Sequence, residues 1–194
     1  MSSRDTILKR IQACEMAAVA LPELSRFGGS YENLKEQFID AFNKGGGSAL
    51  VTSDIKGVEA FIRANYGISK RIVANVDGLP EFSETLNPDG LPHTYNNTEA
   101  AILYGHFAVA ENGAIWITDD LMVQRIIPFI CQHLFVIIHE NQIVPTMHEA
   151  YKEISSTDYG YGCFISGPSK SADIEQALVL GAHGPLSMTV FILS

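Results

Sequence analysis

Hydrophobic residues in the first third of the chain recur at the spacing of amphipathic helices. The predicted helices cover residues 5–19, 31–43 and 55–65, and a fourth is predicted over residues 145–154. Pro22 closes the first helix, and Ser30 and Asp54 stand where the N-caps of the second and third belong. Pro145 suits the first turn of the last helix. Gly45–Gly47 is typical of a helix end that leads into a strand.

Short runs of β-branched and aromatic residues lie between and after these helices and predict strands. They cover residues 49–52, 71–75, 107–110, 114–118, 134–138, 162–166 and 188–193, while residues 99–102 predict either a short helix or a strand entry. Asn112-Gly113 between two apolar runs indicates a β-hairpin. Residues 76–97 are rich in Pro, Gly, Asp and Asn and predict a long surface loop. The alternation of helix and strand predicts an α/β domain with a mainly parallel sheet.

Composition and charge narrow the class of protein. The chain is 46% apolar and 18% charged, which is ordinary for a globular domain. Its formal charge is −9, from 13 basic and 22 acidic residues, and no Lys/Arg cluster occurs. This argues against binding to nucleic acid or to anionic membranes. The start of the chain lacks a signal-peptide pattern, and its apolar runs are too short to span a bilayer, so we expect a cytoplasmic protein.

The three cysteines are far apart in the sequence, and no Cys-x-x-Cys pair occurs. This argues against a disulfide framework, a zinc knuckle or an iron–sulfur cluster held by this chain alone. Cys131 and Cys163 lie in apolar runs and are expected to be core residues rather than nucleophiles. No His and carboxylate spacing suggests a metal, so no metal site is predicted. His106 and His133 flank strands, and both are interpreted as structural residues.

A polar stretch over residues 166–185 carries the densest candidate chemistry of the chain. Ser169 or Ser171 is placed to cap a short helix whose first turn would hold two acids. A helix start of this kind presents free N–H groups that can hold a carboxylate or a phosphate. A well-capped helix without a ligand explains the same residues. The candidate anion-binding residues in this stretch are Gly167, Ser169, Ser171, Asp173, Glu175 and Gly184.

Two side chains are candidates for catalysis. Glu111 lies at the predicted hairpin tip beside Asn112 and Gly113, where a carboxylate is either a solvated turn residue or a catalytic group on a rigid scaffold. His183 lies in a tight Gly-Ala-His-Gly-Pro loop and could act as acid, base or hydrogen-bond donor, or could simply hold the loop together. If these loops all follow strand ends of one sheet, the groups would converge there.

Three segments together resemble a known family. Ala-Val-Ala-Glu-Asn-Gly-Ala at residues 108–114 precedes Ile-Ser-Gly-Pro-Ser-Lys-Ser-Ala-Asp-Ile-Glu at residues 165–175 and Gly-Ala-His-Gly-Pro at residues 181–185. Their order and spacing resemble the LUD domain family, and within it the lactate utilisation protein C group. The resemblance covers residues 99–193. The family usually has Glu-Thr-Gly-Thr at the first segment, and often Arg where this chain has Leu186 and Ser187. The family's hydroxyl contact is therefore not expected from Asn112 and Ala114, and a guanidinium contact is either missing or supplied from elsewhere in the chain.

The resemblance carries expectations about fold and function. It implies a single LUD-like α/β domain over residues 1–194, with helices on both faces of the sheet and the N-terminal helices of residues 1–45 packed on it. The fold is expected to be similar to that of sugar-phosphate isomerases and coenzyme A transferases. The resemblance also implies a role in oxidising lactate to pyruvate with two partner proteins, whose iron–sulfur clusters carry the electrons.

Three hypotheses about function follow. In the first, the chain is a cytoplasmic subunit of a multi-protein lactate-oxidising system, without a cofactor of its own, whose polar loops bind a partner or a small carboxylate or phosphate. In the second, it is a stand-alone enzyme of the coenzyme A transferase or isomerase type with Glu111 as nucleophile or base, because the Glu-Asn-Gly turn is similar to that of the transferases. In the third, it is a non-catalytic adaptor.

Overall fold

The computed structural model describes residues 3–14, 20, 31–66, 70–79, 83–154, 158–172 and 178–194. The helices are α1 (Ser3–Gln12), α2 (Leu34–Lys44), α3 (Ile55–Tyr66), α4 (Asp119–Met122), α5 (Ile127–Ile130) and α6 (Met147–Ile154). The strands are β1 (Ser48–Thr52), β2 (Ile72–Ala74), β3 (Glu84–Thr85), β4 (Ala100–Tyr104), β5 (Phe107–Val109), β6 (Ala114–Thr118), β7 (His133–His139), β8 (Ile143–Val144), β9 (Gly162–Ile165), β10 (Lys170–Ala172), β11 (Leu178–Leu180) and β12 (Ser187–Leu193).

The main sheet has six strands in the order β1-β12-β7-β4-β2-β3, and every neighbouring pair is parallel. Strands β7 and β12 are the longest and are buried over most of their length because the sheet is covered on both sides. The predicted α/β fold with a mainly parallel sheet is confirmed.

Alternate residues of the central strands enter two separate cores, as a pleated strand requires. On one face, Phe135 and Ile137 of β7 pack with Val58 and Ile62 of α3. On the other face, Val136 packs in a core that also holds two phenylalanines of α2 and residues of a second sheet. Helices therefore cover both faces, which confirms the expected arrangement.

The second sheet has four strands in the order β8-β5-β6-β9. Its centre is the predicted hairpin, in which β5 and β6 pair antiparallel. The hairpin packs against the main sheet through Ala108, Ile115 and Ile117. A separate antiparallel pair is formed by β10 and β11.

Several predicted boundaries shift in the structure. Helix α2 begins at Leu34 with Asn33 as N-cap, and its side chain accepts the N–H of Glu36 at 3.2 Å, so the predicted start at Tyr31 is too early. Helix α6 begins at Met147, two residues after Pro145. Residues 100–104 form a strand rather than a helix. Asp54 caps α3 as expected by accepting the N–H of Gly57 at 3.0 Å.

The predicted loop over residues 76–97 contains more structure than its composition suggests. It includes β3 and a one-turn 3-10 helix, Pro92–Tyr95. Leu79, Leu86 and Tyr95 are buried, which anchors the segment on the domain.

The helix predicted to start at Ser169 or Ser171 is wrong. Lys170–Ala172 is strand β10, and it pairs with β11. Residues 173–177, with Asp173 and Glu175, lie outside the described residues, as do residues 15–19, Pro22 and Ser30.

The two N-terminal helices differ in their packing. Phe38 and Phe42 of α2 are fully buried in the core. The described side chains of α1 are exposed, including Ile7 and Ile11. That residues 1–194 form a single domain stays a prediction.

Candidate functional site

The hairpin tip, residues Glu111–Gly113, is tied to neighbouring elements mainly through backbone groups. The Glu111 N–H donates to the Pro145 carbonyl at 3.1 Å. The Glu111 carboxylate accepts the N–H of Met147, the first residue of α6, at 2.9 Å. A carboxylate at this position satisfies an otherwise unpaired N–H of the helix and interacts favourably with the helix dipole. Glu111 is thus a cap that joins the hairpin to α6.

Glycine is required where the tip and a second loop approach the end of α2. Gly113 has φ +69°, and a Cβ there would lie 2.7 Å from Cα and 2.8 Å from N of Phe42. Gly167 has φ +79°, and its Cβ would lie 2.7 Å from the Gly45 carbonyl oxygen. We call the meeting place of Gly45–Gly47, Gly113 and Gly167 the glycine junction. At Gly113 and Gly167 the close approach of backbone atoms leaves no room for a side chain.

The structure brings several of the predicted site residues together around this junction. Ser166 Oγ donates to the Asn112 carbonyl at 3.0 Å, which links the hairpin tip to the loop after β9. Asn112 Oδ1 also accepts the N–H of Ala114 at 3.0 Å and so closes the turn. Lys170 Nζ donates to the carbonyl of Gly45. These contacts show that the motif residues around Asn112 and Ser166 pack together where three loops meet.

A neighbouring corner joins Ser169 to the loop of Gly184. The Ser169 N–H donates to the Pro185 carbonyl at 3.0 Å, and the Gly181 N–H donates to the Ser169 carbonyl at 3.0 Å. A Cβ on Gly184 would lie 3.1 Å from Cβ of Ser169. Ser171 is half-buried in β10, and His183 is exposed. Among the described residues no hydrogen bond joins His183 to Glu111, so their catalytic roles stay predictions.

A cavity of about 660 Å³ lies at the other, open end of the same hairpin. None of the predicted site residues that the structure describes is among its lining residues. It lies just beyond the carboxyl end of β4, because Gly105 and His106 follow the last residue of that strand. Its lining residues are His106, Phe107, Trp116, Thr118, Asp119, Asp120, Glu153, Ile154, Asp158, Tyr159 and Gly160. The size is that of a small-molecule site, and the position is one where α/β sheets bind ligands.

A chain of hydrogen bonds runs along one wall of this cavity. The Thr118 hydroxyl is within 2.5 Å of His106 Nε2 and also bonds to Asp120 Oδ1. An ionised carboxylate only accepts, so the single hydroxyl proton of Thr118 points to Asp120 and the His106 Nε2–H must donate to Thr118. Thr118 is buried, so this chain holds the imidazole in one tautomer.

Aromatic side chains also line the cavity. The rings of Trp116 and Tyr159 meet edge to face at 78°, with centroids 5.3 Å apart. Trp116 also contacts Phe164, at 4.8 Å between centroids. A Cβ on Gly162 would lie 2.4 Å from the Trp116 ring, so the glycine lets β9 pass beneath the indole. The two rings form a rigid corner.

The electrostatics of the cavity are acidic. Four of its lining residues carry carboxylates, and one of these, Asp119, pairs with Arg125 at 2.8 Å. The Arg125 guanidinium holds the pKa of the Asp119 carboxyl below its ordinary value. Arg125 in turn lies over the Tyr161 ring, with 5.3 Å between its Cζ atom and the ring centroid. The remaining carboxylates make the cavity unfavourable for anions.

In the described part of the chain, neither the cysteines nor groups of metal-binding side chains form a second candidate site. Burial raises the pKa of the Cys131 thiol to about 12, and burial also raises the pKa of Cys163, so neither is poised as a nucleophile. Among the described residues no group of three or more His, Cys, Asp or Glu could hold a metal ion. The described helices include none that is both long and apolar enough to cross a bilayer.

The residues around the cavity were missed because no motif marks them. The sequence pattern favours a structural role for His106, and no motif singles out Asp119 or Asp120. The available signal was the placement of polar residues directly after two strand ends, at His106 and at Asp119-Asp120. His133 fits the structural interpretation, since its Nδ1 bonds Ser187 Oγ at 2.7 Å, and its burial lowers its pKa.

Comparison with known proteins identifies a family. The family model for the LUD domain matches residues 30–193. That range begins before α2 and includes the main sheet, the hairpin and the glycine junction, while α1 precedes it.

Similar proteins carry the name lactate utilization protein C. Lactate utilization protein C of Oceanobacillus iheyensis is 32% identical over 102 residues, which is 49% of this chain and 43% of that protein. Lactate utilization protein C of Geobacillus sp. strain WCH70 is 27% identical over 172 residues, 83% of this chain and 68% of that protein. The match to the Oceanobacillus protein thus spans less than half of its length.

A solved structure supports the fold. The crystal structure of a DUF162 family protein from Deinococcus radiodurans superposes with a TM-score of 0.60 at 18% identity. The superposition covers 83% of this chain and 96% of that one. At this level of identity the likeness shows a shared fold and nothing further.

Proposed function

The chain belongs to the LUD domain family, and we propose that it is a cytoplasmic component of a multi-protein system that oxidises lactate to pyruvate. The observation that carries this proposal is the match to relatives named lactate utilization protein C, one of which aligns with 83% of the chain. The sequence segments at residues 108–114, 165–175 and 181–185 support the same assignment, since they resemble this family.

In this proposal, partner proteins rather than this chain accept and transfer the electrons. Oxidation of lactate to pyruvate releases two electrons and two protons, which need an acceptor. A ferredoxin-type cluster takes four thiolates, whereas this chain has three cysteines, one of them buried with a raised pKa. The residues present therefore do not fit a cluster held by this chain alone. We propose that iron–sulfur partner subunits accept the electrons.

The contacts of Glu111 favour the component over the stand-alone enzyme. Its carboxylate accepts the first N–H of α6 at 2.9 Å, and the carboxylate does not line the cavity. A nucleophile in a transferase would have to face its substrate, whereas this group faces a helix end. We propose that Glu111 and its neighbours hold the loops in place, and that the exposed parts of the Ser169 and Gly184 corner contact a partner or a small carboxylate.

Deletion and complementation in the native host test the proposal. Cells lacking the chain should fail to grow on lactate and should grow normally on pyruvate, because only the first oxidation is lost. The tagged chain, purified from lactate-grown cells, should bring down a cysteine-rich iron–sulfur protein and reduce a dye when lactate is added. Normal growth of the deletion strain on lactate would reject the proposal.

Glu111→Gln separates the component from the enzyme. The amide oxygen can still accept the Met147 N–H, so the fold and the hairpin tip are kept, while a nucleophilic carboxylate is removed. The component hypothesis predicts normal complementation on lactate. A loss of growth with unchanged protein level and melting temperature would instead favour a catalytic Glu111. Asp89→Asn, an exposed acid in the loop between β3 and β4, is the matched control.

A further inference from the structure

We propose that the cavity beside Trp116 binds a small organic cation, a molecule that carries an ammonium or a guanidinium group. This binding site goes beyond the proposed function and does not depend on it. The shape of the cavity, its acidic and aromatic lining residues and the arrangement of its polar groups support this site.

The cavity is open to solvent at the exposed side chains of Asp120, Asp158 and Tyr159 and is closed by buried residues of the hairpin. The cavity has about 660 Å³ of space, within the range of small-molecule sites. Its floor is the rigid hairpin, where Trp116 and Thr118 are both buried strand residues. Gly160 brings the opposing segment close, because a Cβ there would lie 2.9 Å from Asp119 Oδ2.

The acidic wall selects the sign of the ligand charge. Asp120 and Asp158 line the cavity together with Glu153 and with Asp119, and Arg125 offsets the charge of Asp119. A carboxylate or phosphate ligand would therefore be repelled, whereas a cation is attracted. The same acids explain why lactate and pyruvate are poor candidates for this cavity.

The aromatic wall selects an organic cation over a bare metal ion. The Trp116 and Tyr159 rings meet edge to face with centroids 5.3 Å apart, and because Trp116 is only 7% exposed, Tyr159 presents most of the accessible aromatic surface. Ring faces attract ammonium and guanidinium groups and also pack against the attached carbon chain. A metal ion would need three or more clustered ligands, and the described residues provide none so arranged.

The hydrogen-bond chain holds this site in position before a ligand arrives. The buried Thr118 hydroxyl bridges His106 to Asp120, so the Asp120 carboxylate is oriented by the strand itself. His106 Nε2 is also 3.7 Å from Asp120 Oδ1. A preorganised carboxylate costs the ligand less ordering on binding than a mobile one does. Thr118 and His106 thus act as positioning residues.

Trp116 makes the proposal directly measurable, because it is the single tryptophan of the chain. Butylguanidinium, valeramide and valerate form a series of similar size whose charge is positive, zero and negative. Titration of each into the protein, followed by tryptophan fluorescence, should show a saturable change for butylguanidinium at least tenfold tighter than for valeramide. Valerate should give no change, and added salt should weaken the cation.

Paired variants decide the outcome. Asp120→Asn with Asp158→Asn should weaken butylguanidinium binding at least tenfold, while the matched double variant Asp40→Asn with Asp89→Asn, which removes the same charge elsewhere, should leave it unchanged. Circular dichroism and thermal melting check that both doubles are folded. Equal responses to cation and anion, no response to the cation, or full binding by the Asp120 and Asp158 double variant would each overturn the proposal. The fluorescence titration tests only the cation site, and growth on lactate tests only the proposed function, so the failure of one proposal can be distinguished from the failure of the other.

Discussion

The two ends of the β5–β6 hairpin use polar residues in opposite ways. At the tip, the Glu111 carboxylate accepts the Met147 N–H, the Asn112 carbonyl accepts the Ser166 hydroxyl, and Gly113 packs directly on the backbone of α2. At the open end, His106 and Asp120 are bridged by a buried hydroxyl and face a cavity. The end with the recognisable motif is the packed one, and the end without a motif has the space for a ligand. A sequence motif can therefore mark a structural junction as readily as a binding site.

The largest expected effect tests how tightly the tip is packed. Gly113→Ala combines a left-handed φ of +69° with a Cβ 2.7 Å from a Phe42 backbone atom, and we expect a loss of about 3 kcal/mol in the free energy of unfolding. Urea denaturation followed by circular dichroism measures it.

Gly78→Ala is the matched control for this change. Gly78 has φ +88°, but the nearest atom to its Cβ is a side-chain methyl of Ile55 at 3.4 Å, so only the conformational cost of about 1 kcal/mol applies. Equal losses in the free energy of unfolding for Gly78→Ala and Gly113→Ala would show that the close backbone contact at the tip does not affect stability.

The next effect tests the hydrogen-bond chain at the open end. Thr118→Val keeps the shape of the side chain but removes the hydroxyl between His106 and Asp120, and we expect a loss of about 1 kcal/mol. The variant should also weaken butylguanidinium binding, because Asp120 loses its anchor. Thermal unfolding and the fluorescence titration measure the two effects.

Thr98→Val provides the contrast within the same protein. Thr98 Oγ1 is buried and has no hydrogen-bond partner among the described residues, so its removal should be neutral or slightly stabilising. If Thr98→Val costs as much as Thr118→Val, the loss reflects altered packing rather than the broken hydrogen bonds.

A smaller effect is expected at the hairpin cap. Glu111→Ala removes the acceptor for the Met147 N–H and should lower the free energy of unfolding by about 0.5 to 1 kcal/mol. Glu111→Gln should lose less than Glu111→Ala, because it keeps an acceptor oxygen. Denaturant titrations of the two variants side by side measure the difference, and identical values for the wild type and both variants would contradict the capping role.

The smallest effect is the dependence of stability on pH near each end. The Arg125 hydrogen bond lowers the pKa of Asp119 below 3.8 at the cavity, and the Thr146 hydroxyl lowers the pKa of Glu149 below 4.5 at the start of α6. Because each pKa is lower in the folded state, the unfolded chain takes up the proton first. The stabilisation is thus present above the unfolded pKa and is lost as the pH falls through the folded one.

Two substitutions test this pH dependence. Asp119→Asn and Glu149→Gln should each reduce the fall in melting temperature between pH 5 and pH 3, an interval that includes the ordinary pKa values of both carboxyls. Both side chains lie near the surface, so each change should be small. An unchanged slope in both variants would mean that neither carboxylate is stabilised by folding.

The sequence by itself determined the elements and the fold class. The run over residues 134–138 predicts a buried strand because its residues are apolar throughout and four of the five are β-branched or aromatic, and Asn112-Gly113 between apolar runs predicts a hairpin turn. The helix expected after Ser169 failed because local capping chemistry is weak compared with strand pairing, and β11 supplied that pairing.

Only the tertiary structure decided where the polar groups meet. His106 and Asp120 are far apart along the hairpin's two strands, and antiparallel pairing of Phe107 with Trp116 is what brings the flanking residues to one cavity wall. Gly113 and Phe42 likewise meet only because α2 packs on the hairpin. A local sequence pattern encodes backbone conformation over a few residues, whereas convergence depends on packing between distant segments, and so the cavity could not be read from the chain alone.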